Sequence, residues 1–466
     1  MQKHRNPAWP FIILSLVLSQ TALAQRNIPT DDQQLLVDVY RELVEYKTTR
    51  EEENNTLAVE GMAAWLQAAG FAAEDIFIGG ALPHKGNLVA RYHGNGDAEP
   101  IVLMAHIDVV AAERDDWSMD PFTLNEDEEY YYGRGTLDDK AMAAIFLANM
   151  VRFKREGYVP NRDIIIALTS DEESGGSNGI GWLLQNQPGL IAGALAINEG
   201  GYGLLQDGQP LAVTIQVAEK IFATFTLTAR NPGGHSSLPR EDNAIYDLAE
   251  ALLRIRAFKF PVQINDVMRV SFQRQAEINT GQRAQDFRAL LRDPIPEESL
   301  DRLSSEAAIN AQLRTTAVAT LLTGGHASNA LPQSAVATIN VRMLPGSDPQ
   351  QVLRTLIDVV NNPAIEVQYR GGGAITDPSP LSEEIMAAVE SVTESMWPGV
   401  TVMPTMSTGA TDGARMRRAG IPTYGVSGLF IDRNDIRIHG QDERLRKQSL
   451  LEGYEFLYKL AKQLSE

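Results

Sequence analysis

The sequence predicts an α/β protein in which helices cover both faces of a sheet, interrupted by a smaller α+β domain. Two observations support this fold class. Between about residues 86 and 201, apolar runs of strand length alternate with helical segments. From about residue 215 to 372, strands with period-two patterning are mixed with helices, and the helix–strand alternation then resumes. A chain of 466 residues is long enough for two such domains.

The predicted first domain starts with helices and continues with alternating strands and helices. Apolar residues at three- and four-residue spacing predict two helices between residues 30 and 70. After them we expect strands at 86–94, 100–110, 162–170 and 193–201, and helices at 138–157 and from residue 176. Because buried parallel strands carry ligands at their carboxyl ends, the ends of these strands are the places to search for a site.

The inserted domain is predicted from a change of period. "LAVTIQVAEKIFATFTLTARNPGGHSS" alternates as half-buried strands do, and a helix and a charged, helix-rich stretch of about 265–313 follow. Two more strands, a helix and a strand complete this unit. We therefore predict one domain from 25–213 plus 373–466, with residues 214–372 inserted into it.

Composition excludes some functions. The formal net charge is −19, from 41 basic and 60 acidic residues, and no basic stripe is visible that could meet the phosphates of a nucleic acid. The chain has no cysteine, so it forms no disulfide, and any metal site must use histidine and carboxylate ligands.

The N-terminus has the three parts of a secretory signal peptide. Lys3 and Arg5 precede the short apolar run "FIILSLVL", and Ala22-Leu23-Ala24 forms an A-x-A cleavage pattern. We expect cleavage after Ala24 and export to the periplasm or the medium of a bacterium, with no membrane association afterwards. An uncleaved anchor is the alternative, although the apolar run is short for a membrane span.

Two motifs contain a histidine, one at a predicted strand end and one near the C-terminus. His106 ends the strand "IVLMAHIDVV", and Asp108 two residues later can accept the second imidazole N–H and fix the tautomer. His439 lies in "IRIHGQDERL". A histidine that is merely hydrogen-bonded in the core is the alternative for a lone His-x-Asp.

Carboxylates cluster in three further motifs. "YYGRGTLDDK" presents Asp138 and Asp139 at the start of a helix, where they could instead serve as helix caps. "TSDEESGG" places Asp171, Glu172 and Glu173 after a buried strand, and "INEGG" places Glu199 at another strand end. Taken alone, the acidic triplet suits a solvated loop. Together with two histidines, these carboxylates suit a pair of divalent cations that share one bridging carboxylate.

In their order, these motifs resemble the di-zinc metallopeptidases of family M-20. The resemblance rests on "HIDVV", "GRGTLDDK", "TSDEESGG", "NEGG", "NPGGHSS", "NVRMLPG" and "IHGQDERL", and it extends over nearly all of the mature chain. Among its branches, the carboxypeptidase S-like enzymes and secreted N-acyl-amino-acid hydrolases look most similar. The resemblance implies a mixed-sheet zinc-exopeptidase domain whose inserted domain is a lid and a dimerisation domain.

The resemblance also implies a role for each motif residue. His106 and His439 would each bind one Zn²⁺ (or Co²⁺ or Mn²⁺), Asp138 would bridge the two ions, and Glu173 and Glu199 would complete the two sets. Spacing alone leaves Asp139 open as the bridging residue. Glu172 would be the general base for metal-activated water, and Asp108 would orient His106. No role follows for Asp171 beyond local structure, and none for His326.

Residues of the lid and of one late loop would bind substrate. The resemblance implies that His235 stabilises the oxyanion, in several members from the partner subunit of a homodimer. Arg342 and Asn329 would bind the substrate carboxylate, since a guanidinium offers a planar, permanently charged fork. A surface arginine at a strand edge is the alternative for Arg342. The motif "STGATDGAR" makes Ser407, Thr408 and Gly409 candidates for the pocket.

The predicted activity is hydrolysis of an amide or peptide bond next to a free carboxylate, in a small peptide or an N-acyl-amino acid. The chain has no cysteine that could offer a covalent route. A di-zinc aminopeptidase is one alternative, but such enzymes lack the lid. A non-catalytic binding protein on the same scaffold is the other.

Overall fold

The structure is a computed structural model that describes residues 28–52 and 54–466. The predicted signal peptide, residues 1–24, lies outside the described residues. Within the described ranges, no helix combines the length and the apolar character needed to cross a membrane.

The strands form one large sheet and three small ones. In chain order the strands are β1 (Ile76–Gly79), β2 (Asn87–Tyr92), β3 (Ala98–His106), β4 (Asn125–Glu126), β5 (Tyr130–Tyr132), β6 (Arg162–Thr169), β7 (Leu195–Asn198), β8 (Gly203–Gln206), β9 (Gln209–Glu219), β10 (Ile221–Arg230), β11 (Gly234–His235), β12 (Thr316–Gly324), β13 (Ala330–Leu331), β14 (Ser334–Met343), β15 (Ile365–Gly372), β16 (Thr401–Ser407), β17 (Thr423–Gly425), β18 (Phe430–Asp432) and β19 (Arg444–Arg446).

The α-helices of the described residues alternate with these strands. They are α1 (Thr30–Glu45), α2 (Asn55–Ala68), α3 (Lys140–Glu156), α4 (Gly179–Asn186), α5 (Ala244–Ala257), α6 (Asp266–Ile278), α7 (Gly281–Leu290), α8 (Glu297–Ser304), α9 (Ala307–Leu313), α10 (Pro349–Val360), α11 (Glu383–Met396), α12 (Gly413–Arg418) and α13 (Lys447–Ser465).

The large sheet has ten strands and is mixed. Its order is β1-β2-β6-β3-β7-β17-β9-β8-β18, and β16 pairs with β9 off this path. The central neighbours β6, β3 and β7 are parallel, whereas β1, β2 and β6 pair antiparallel at one edge. The mixed α/β fold class predicted from the sequence is therefore confirmed.

Helices bury both faces of this sheet, which explains why its central strands are apolar without alternation. Along β6, Ile164, Ile166 and Leu168 face a core shared with α1, α2, α3 and α13. The intervening Ile165 and Ala167 face a second core shared with α4 and α12. Because neither face of this part of the strand meets water, residues 164–168 are all apolar, as in a parallel sheet covered on both sides.

A four-stranded antiparallel sheet, in the order β12-β14-β10-β15, forms the inserted unit. One face of β10 packs through Phe225 and Leu227 against Leu248 of α5 and Leu356 of α10. The opposite face carries half-buried residues such as Thr224 and Thr226, so the strand shows the period-two pattern seen in the sequence.

Helices α6 to α9 account for the charged, helix-rich stretch predicted at about 265–313. Their apolar side chains, among them Phe272 and Phe287, form a third core with Ala218 of β9 and Met406 of β16. Leu344, just after β14, joins the same core. These helices therefore contact both the large sheet and the inserted unit.

Candidate active site

Three neighbouring parallel strands bring His106, the acidic loop and Glu199 to one edge of the large sheet. His106 is the last residue of β3, Thr169 ends β6 directly before the acidic loop 170–178, and Glu199 follows Asn198 at the end of β7. Because β6, β3 and β7 are adjacent in the sheet, their carboxyl ends converge. The strand-end expectation from the sequence thus matches the arrangement in the structure.

Asp138 lies between the two predicted histidine ligands. Its Oδ1 is 3.0 Å from Nε2 of His106, and its Oδ2 is 3.2 Å from Nε2 of His439. A carboxylate that presents one oxygen to each of two imidazoles has the orientation needed to bridge two cations.

The two remaining carboxylates divide between the two halves. Glu199 Oε2 lies 3.8 Å from His106 Nε2, and Glu173 Oε1 lies 2.7 Å from His439 Nε2. The structure therefore gives two sets, His106–Asp138–Glu199 and His439–Asp138–Glu173, that share Asp138. This is the division that the resemblance implies.

Asp139, the alternative to Asp138, is buried, and its Oδ2 has no hydrogen-bond partner among the described residues. Helix α3 begins at Lys140, and neither aspartate side chain caps it: Asp139 occupies the N-cap position without a side-chain hydrogen bond. The capping alternative for this pair therefore does not describe the structure.

The electrostatics of the cluster favour added positive charge. Burial raises the pKa of Glu199 to about 7, and burial together with the charge of Glu199 holds the pKa of Glu172 well above its ordinary value. Hydrogen bonds to Asp138 and Glu173 raise the pKa of His439 to about 10. In the absence of cations these groups keep or share protons because neighbouring carboxylates repel each other.

The pKa of His106 is raised, whereas the pKa of Asp138, the shared aspartate, is lowered. Burial lowers the pKa of His106, but Glu199 and Asp138 outweigh burial and raise it well above its ordinary value. Burial raises the pKa of Asp138, but hydrogen bonds with His106 and His439 hold it below its usual range. Asp138 is thus held to His106 and to His439 by protonated hydrogen bonds. A divalent cation can replace the proton in each of them.

These residues fit a metal centre by both distance and chemistry. Ligand atoms of His106, Asp138 and Glu173 lie within 4.8 Å of one another, and so do those of His106, Glu172 and Glu199. The donors are imidazole nitrogens and carboxylate oxygens, which Zn²⁺, Mn²⁺ and Co²⁺ all accept. Because the second group includes Glu172, proximity alone does not separate the predicted base from the ligands.

Contacts of the side chains do separate Glu172 from Glu173. Within the described ranges, the Glu172 carboxylate forms no hydrogen bond or ion pair, whereas Glu173 pairs with His439. The backbone N–H groups of both residues donate to the carboxylate of Asp108, each at 3.0 Å. The loop backbone is therefore fixed while the Glu172 side chain stays free of protein partners.

Asp108 acts differently from the expectation. His106 Nδ1 lies 2.9 Å from the backbone oxygen of Asp108, whereas the nearer carboxylate oxygen of Asp108 is 3.8 Å away. The chain leaves β3 at His106, so the extended geometry that would place both side chains together no longer holds. Asp108 still fixes the imidazole, but through its main chain, and its carboxylate holds the acidic loop instead.

Sequence reasoning missed Glu443, although the residue lies in the quoted motif "IHGQDERL". Its buried carboxylate accepts hydrogen bonds from the backbone N–H of Leu137 at 2.8 Å and of Asp138 at 3.2 Å, and it pairs with Arg134 at 2.7 Å. Glu443 therefore connects the loop that carries His439 to the loop that carries Asp138. Its position four residues after His439 was the available signal.

The late loop predicted to contact substrate follows β16. Ser407 is the last residue of that strand, its Oγ accepts the N–H of Gly409, and Thr408 lies between them. Farther along, the buried Asp412 accepts a hydrogen bond at 2.6 Å from Asn178 at the start of α4. The late loop is thus joined to the end of the acidic loop, a link that the sequence did not indicate.

The residues of the inserted unit that were predicted to bind substrate are exposed or half-buried. His235 and Asn329 flank the two-stranded pairing of β11 with β13, where Ser236 N–H donates to Asn329 O, and both residues are exposed. Arg342 is half-buried on β14 and forms no ion pair with any described residue. Its guanidinium stands 5.9 Å from the ring centre of Phe222. Exposed His326 has no contact that suggests a role.

The shared position of Asp138 predicts different outcomes for its replacement and for that of its neighbour. Asp138→Asn should lose most bound metal because one amide cannot supply two anionic oxygens to the two histidine sets. Asp139→Asn should keep the wild-type metal content, since the Asp139 carboxylate belongs to neither histidine set and its Oδ2 has no hydrogen-bond partner among the described residues. Elemental analysis of both purified variants checks this, and equal metal loss in the two would contradict the assignment.

Comparison with known proteins supports the family assignment. The model of Peptidase family M20/M25/M40 matches residues 102–463. Human N-fatty-acyl-amino acid synthase/hydrolase PM20D1 is 30% identical over 382 residues, which cover 78% of this chain and 73% of that protein. A probable carboxypeptidase S-like 2 of Dictyostelium discoideum is 28% identical over 391 residues, covering 81% and 74%.

A solved structure shows the same fold. The M20 family metallo-carboxypeptidase Sso-CP2 from Sulfolobus solfataricus superposes with a TM-score of 0.69 at 15% identity, covering 93% of this chain and 99% of that one. The family that the motifs resembled is therefore confirmed. The chain belongs to Peptidase family M20/M25/M40, and it is a metallohydrolase that cleaves amide bonds.

Proposed function

We propose that this enzyme hydrolyses N-acyl-amino acids, cleaving the amide next to the free carboxylate, with two divalent cations and Glu172 as general base. The observation that carries the proposal is the different environment of two adjacent carboxylates, because Glu173 pairs with His439 while the Glu172 carboxylate has no hydrogen-bond or ion-pair partner among the described residues. We also propose the domain division 25–213 plus 373–466 with 214–372 as the lid.

In this proposal His106, Asp138 and Glu199 hold one Zn²⁺, and His439, Asp138 and Glu173 hold the other. Co²⁺ or Mn²⁺ suits the same nitrogen and oxygen donors. When bound, such cations acidify water and polarise the amide carbonyl.

Glu172 moves the proton in this scheme. Its carboxylate takes a proton from the attacking water and delivers it to the departing amine nitrogen. Asp108 keeps the backbone that carries this side chain in place, since it accepts hydrogen bonds from the amide N–H groups of Glu172 and Glu173. In the absence of cations, burial holds the pKa of Glu172 above its ordinary value, and bound cations would favour its ionised, proton-accepting form.

Arg342 supports recognition of a free carboxylate. A half-buried guanidinium without an acidic partner is costly, and burial lowers its pKa, so a bound carboxylate would supply the missing counter-charge. Ser407, Thr408 and Gly409 are the proposed contacts from the late loop, and Asn329 is a second carboxylate contact. Relatives named as an N-fatty-acyl-amino acid hydrolase and as carboxypeptidases both suit a substrate that ends in a carboxylate.

A substrate screen tests this function. We expect hydrolysis of N-acyl-amino acids in the presence of Zn²⁺ and none of the corresponding amino-acid amides, which lack the carboxylate. Glu172→Gln should keep both metals and lose about 10²–10⁴-fold in kcat, the usual contribution of a general base. Glu173→Gln is the matched control, because it should lose metal as well as activity.

Three outcomes would contradict the proposal. A Glu172→Gln enzyme with near wild-type activity would exclude Glu172 as the base. Cleavage of substrates with a free amine in preference to N-acylated ones would indicate an aminopeptidase. Bound metal without hydrolysis of any amide in the screen would indicate a binding protein.

We propose that the enzyme is a homodimer that associates through β12. This strand is an edge of the lid sheet, and its side chains Val318, Leu321 and Leu322 are 60%, 67% and 66% exposed. Exposed apolar edge strands are normally covered, and pairing with the same strand of a second copy satisfies both backbones under twofold symmetry. In such a dimer the exposed His235 would stabilise the oxyanion in the partner's site.

Charges on this edge should therefore separate the subunits. The double variant Leu321→Glu/Leu322→Glu is expected to sediment as a monomer because like charges would face each other across the twofold axis. Leu57→Glu, at a residue of α2 that is 54% exposed, is the control and should sediment as wild type does. A dimer that survives the double substitution would exclude this interface.

We also propose that the protein is exported and cleaved after Ala24, which places it in the periplasm or outside the cell. The basic start, the apolar run and the A-x-A pattern support this. Sequencing of the mature N-terminus should give Gln25 as its first residue. A cell-associated product that retains residues 1–24 would contradict cleavage.

A further inference from the structure

The acidic loop 170–178 folds around the side chain of Asp171, a residue without an assigned role. Asp171 has φ of +64°, a left-handed backbone conformation in which aspartate and asparagine are enriched. Its backbone oxygen accepts the N–H of Gly175 at 3.0 Å, and its Oδ2 accepts the N–H of Ser177. The turn that carries Glu172 and Glu173 is therefore closed by bonds to Asp171.

Lys85 reaches the same side chain from a different part of the fold. It lies in the turn between β1 and β2, and its Nζ donates to Asp171 Oδ1 at 2.6 Å. The side chains are only 6% and 4% exposed, so water screens this ion pair weakly. A second contact from the same turn, Ser170 Oγ to the backbone oxygen of Lys85, is 3.2 Å long.

The turn that supplies Lys85 is itself anchored. Thr56 Oγ1 on α2 accepts the N–H of Gly86 at 2.9 Å and donates to Pro83 O at 2.7 Å. At the start of β2, Asn87 Oδ1 accepts the N–H of Ser170 at 3.0 Å. Lys85 therefore connects the acidic loop to a turn that Thr56 of α2 holds in place.

From these contacts we infer that Lys85 and Asp171 are positioning residues, whose buried ion pair fixes the loop so that Glu172 can reach the attacking water. Asp108 holds the amides of Glu172 and Glu173, and the Lys85–Asp171 pair holds the residue before them. Neither member of the pair touches substrate. The inference rests on the proposed role of Glu172 as general base.

Loss of the lysine should displace the loop. Without its ammonium group, the Asp171 carboxylate is a buried charge without a counter-ion, and the loop must move to bring water or another donor to it. A displacement of about 1 Å at a reacting group can cost about 100-fold in rate. The effect should therefore appear in kcat, while substrate contacts from the lid and the late loop stay in place.

Three variants of the full-length enzyme, loaded with Zn²⁺, test the inference. Lys85→Met should lower kcat at least tenfold, change KM less than threefold and raise hydrogen exchange at residues 171–177. Asp171→Asn retains an acceptor and a side chain suited to the left-handed conformation, but it removes the charge. The double variant Lys85→Met/Asp171→Asn removes the unpaired charge. It should therefore melt at a higher temperature than Lys85→Met, while its kcat should stay as low as that of Lys85→Met.

A core variant controls for loss of stability alone. Ile164→Val lies at the far end of β6 and should lower the melting temperature without changing kcat or exchange in the loop. If the double variant regained kcat along with melting temperature, or if Lys85→Met kept kcat within threefold of wild type, the positioning role would be excluded. Should Lys85→Met fail to fold, the kcat of Asp171→Asn and the kcat of the double variant are each compared with that of the wild type instead.

Failure of the proposed function gives a different result. A wild-type enzyme inactive on every N-acyl-amino acid would contradict the proposed substrate. Hydrogen exchange would still test the loop: faster exchange at residues 171–177 in Lys85→Met supports the positioning contact, and unchanged exchange excludes it.

Discussion

Mutual repulsion among buried carboxylates is the constraint on which this site depends. Asp138, Glu173 and Glu199, each at most 12% exposed, lie against His106 and the half-exposed His439, with Glu172 beside them. Without cations, such groups can coexist only by holding protons, which is why burial raises the pKa of Glu199 to about 7. Divalent cations replace those protons and convert the repulsion into binding energy.

The rigid large sheet holds these repelling groups close together. Because β6, β3 and β7 are buried on both faces, their carboxyl ends hold His106, the acidic loop and Glu199 at fixed separations. The remaining ligands come from loops, and each loop is fixed by a buried charged group: Glu443 holds the backbone of Asp138, and Asp108 holds that of Glu173. The repulsive groups therefore cannot relax apart, and the site stays preorganised for cations.

The sequence predicted the parts of this arrangement that follow from periodicity and residue type. Alternating strands and helices indicated the sheet, strand ends indicated His106 and Glu199, and the absence of cysteine restricted the ligands to histidine and carboxylate. Sequence spacing could not choose between Asp138 and Asp139, because that choice depends on which side chain the backbone turns toward His439. In the structure, one oxygen of Asp138 lies beside each histidine, and this geometry favours Asp138.

Supporting contacts were harder to predict because their partners are distant in the chain. Nothing near Lys85 indicates that its ammonium group meets Asp171, and Glu443 was visible only as part of a motif. The role of Asp108 changed for a local reason, since β3 ends at His106 and the alternation of side chains ends with it. Predictions of residue type thus succeeded where predictions of side-chain direction beyond a strand end did not.

Lys220 stabilises the junction between the large sheet and the four-stranded sheet. Lys220, between β9 and β10, donates its backbone N–H to Ser407 O at 2.9 Å, so the junction is bonded directly to the late loop. Its buried ammonium group donates to Ala311 O and Arg314 O, each at 2.8 Å, at the end of α9.

The same helices pack on β9 and β16, which connects the lid, the junction and the late loop through one core. A change in lid position would have to break these bonds or carry the late loop with it. Arg342 on β14 and Ser407 at the end of β16 are therefore connected through the backbone of Lys220 and one shared core.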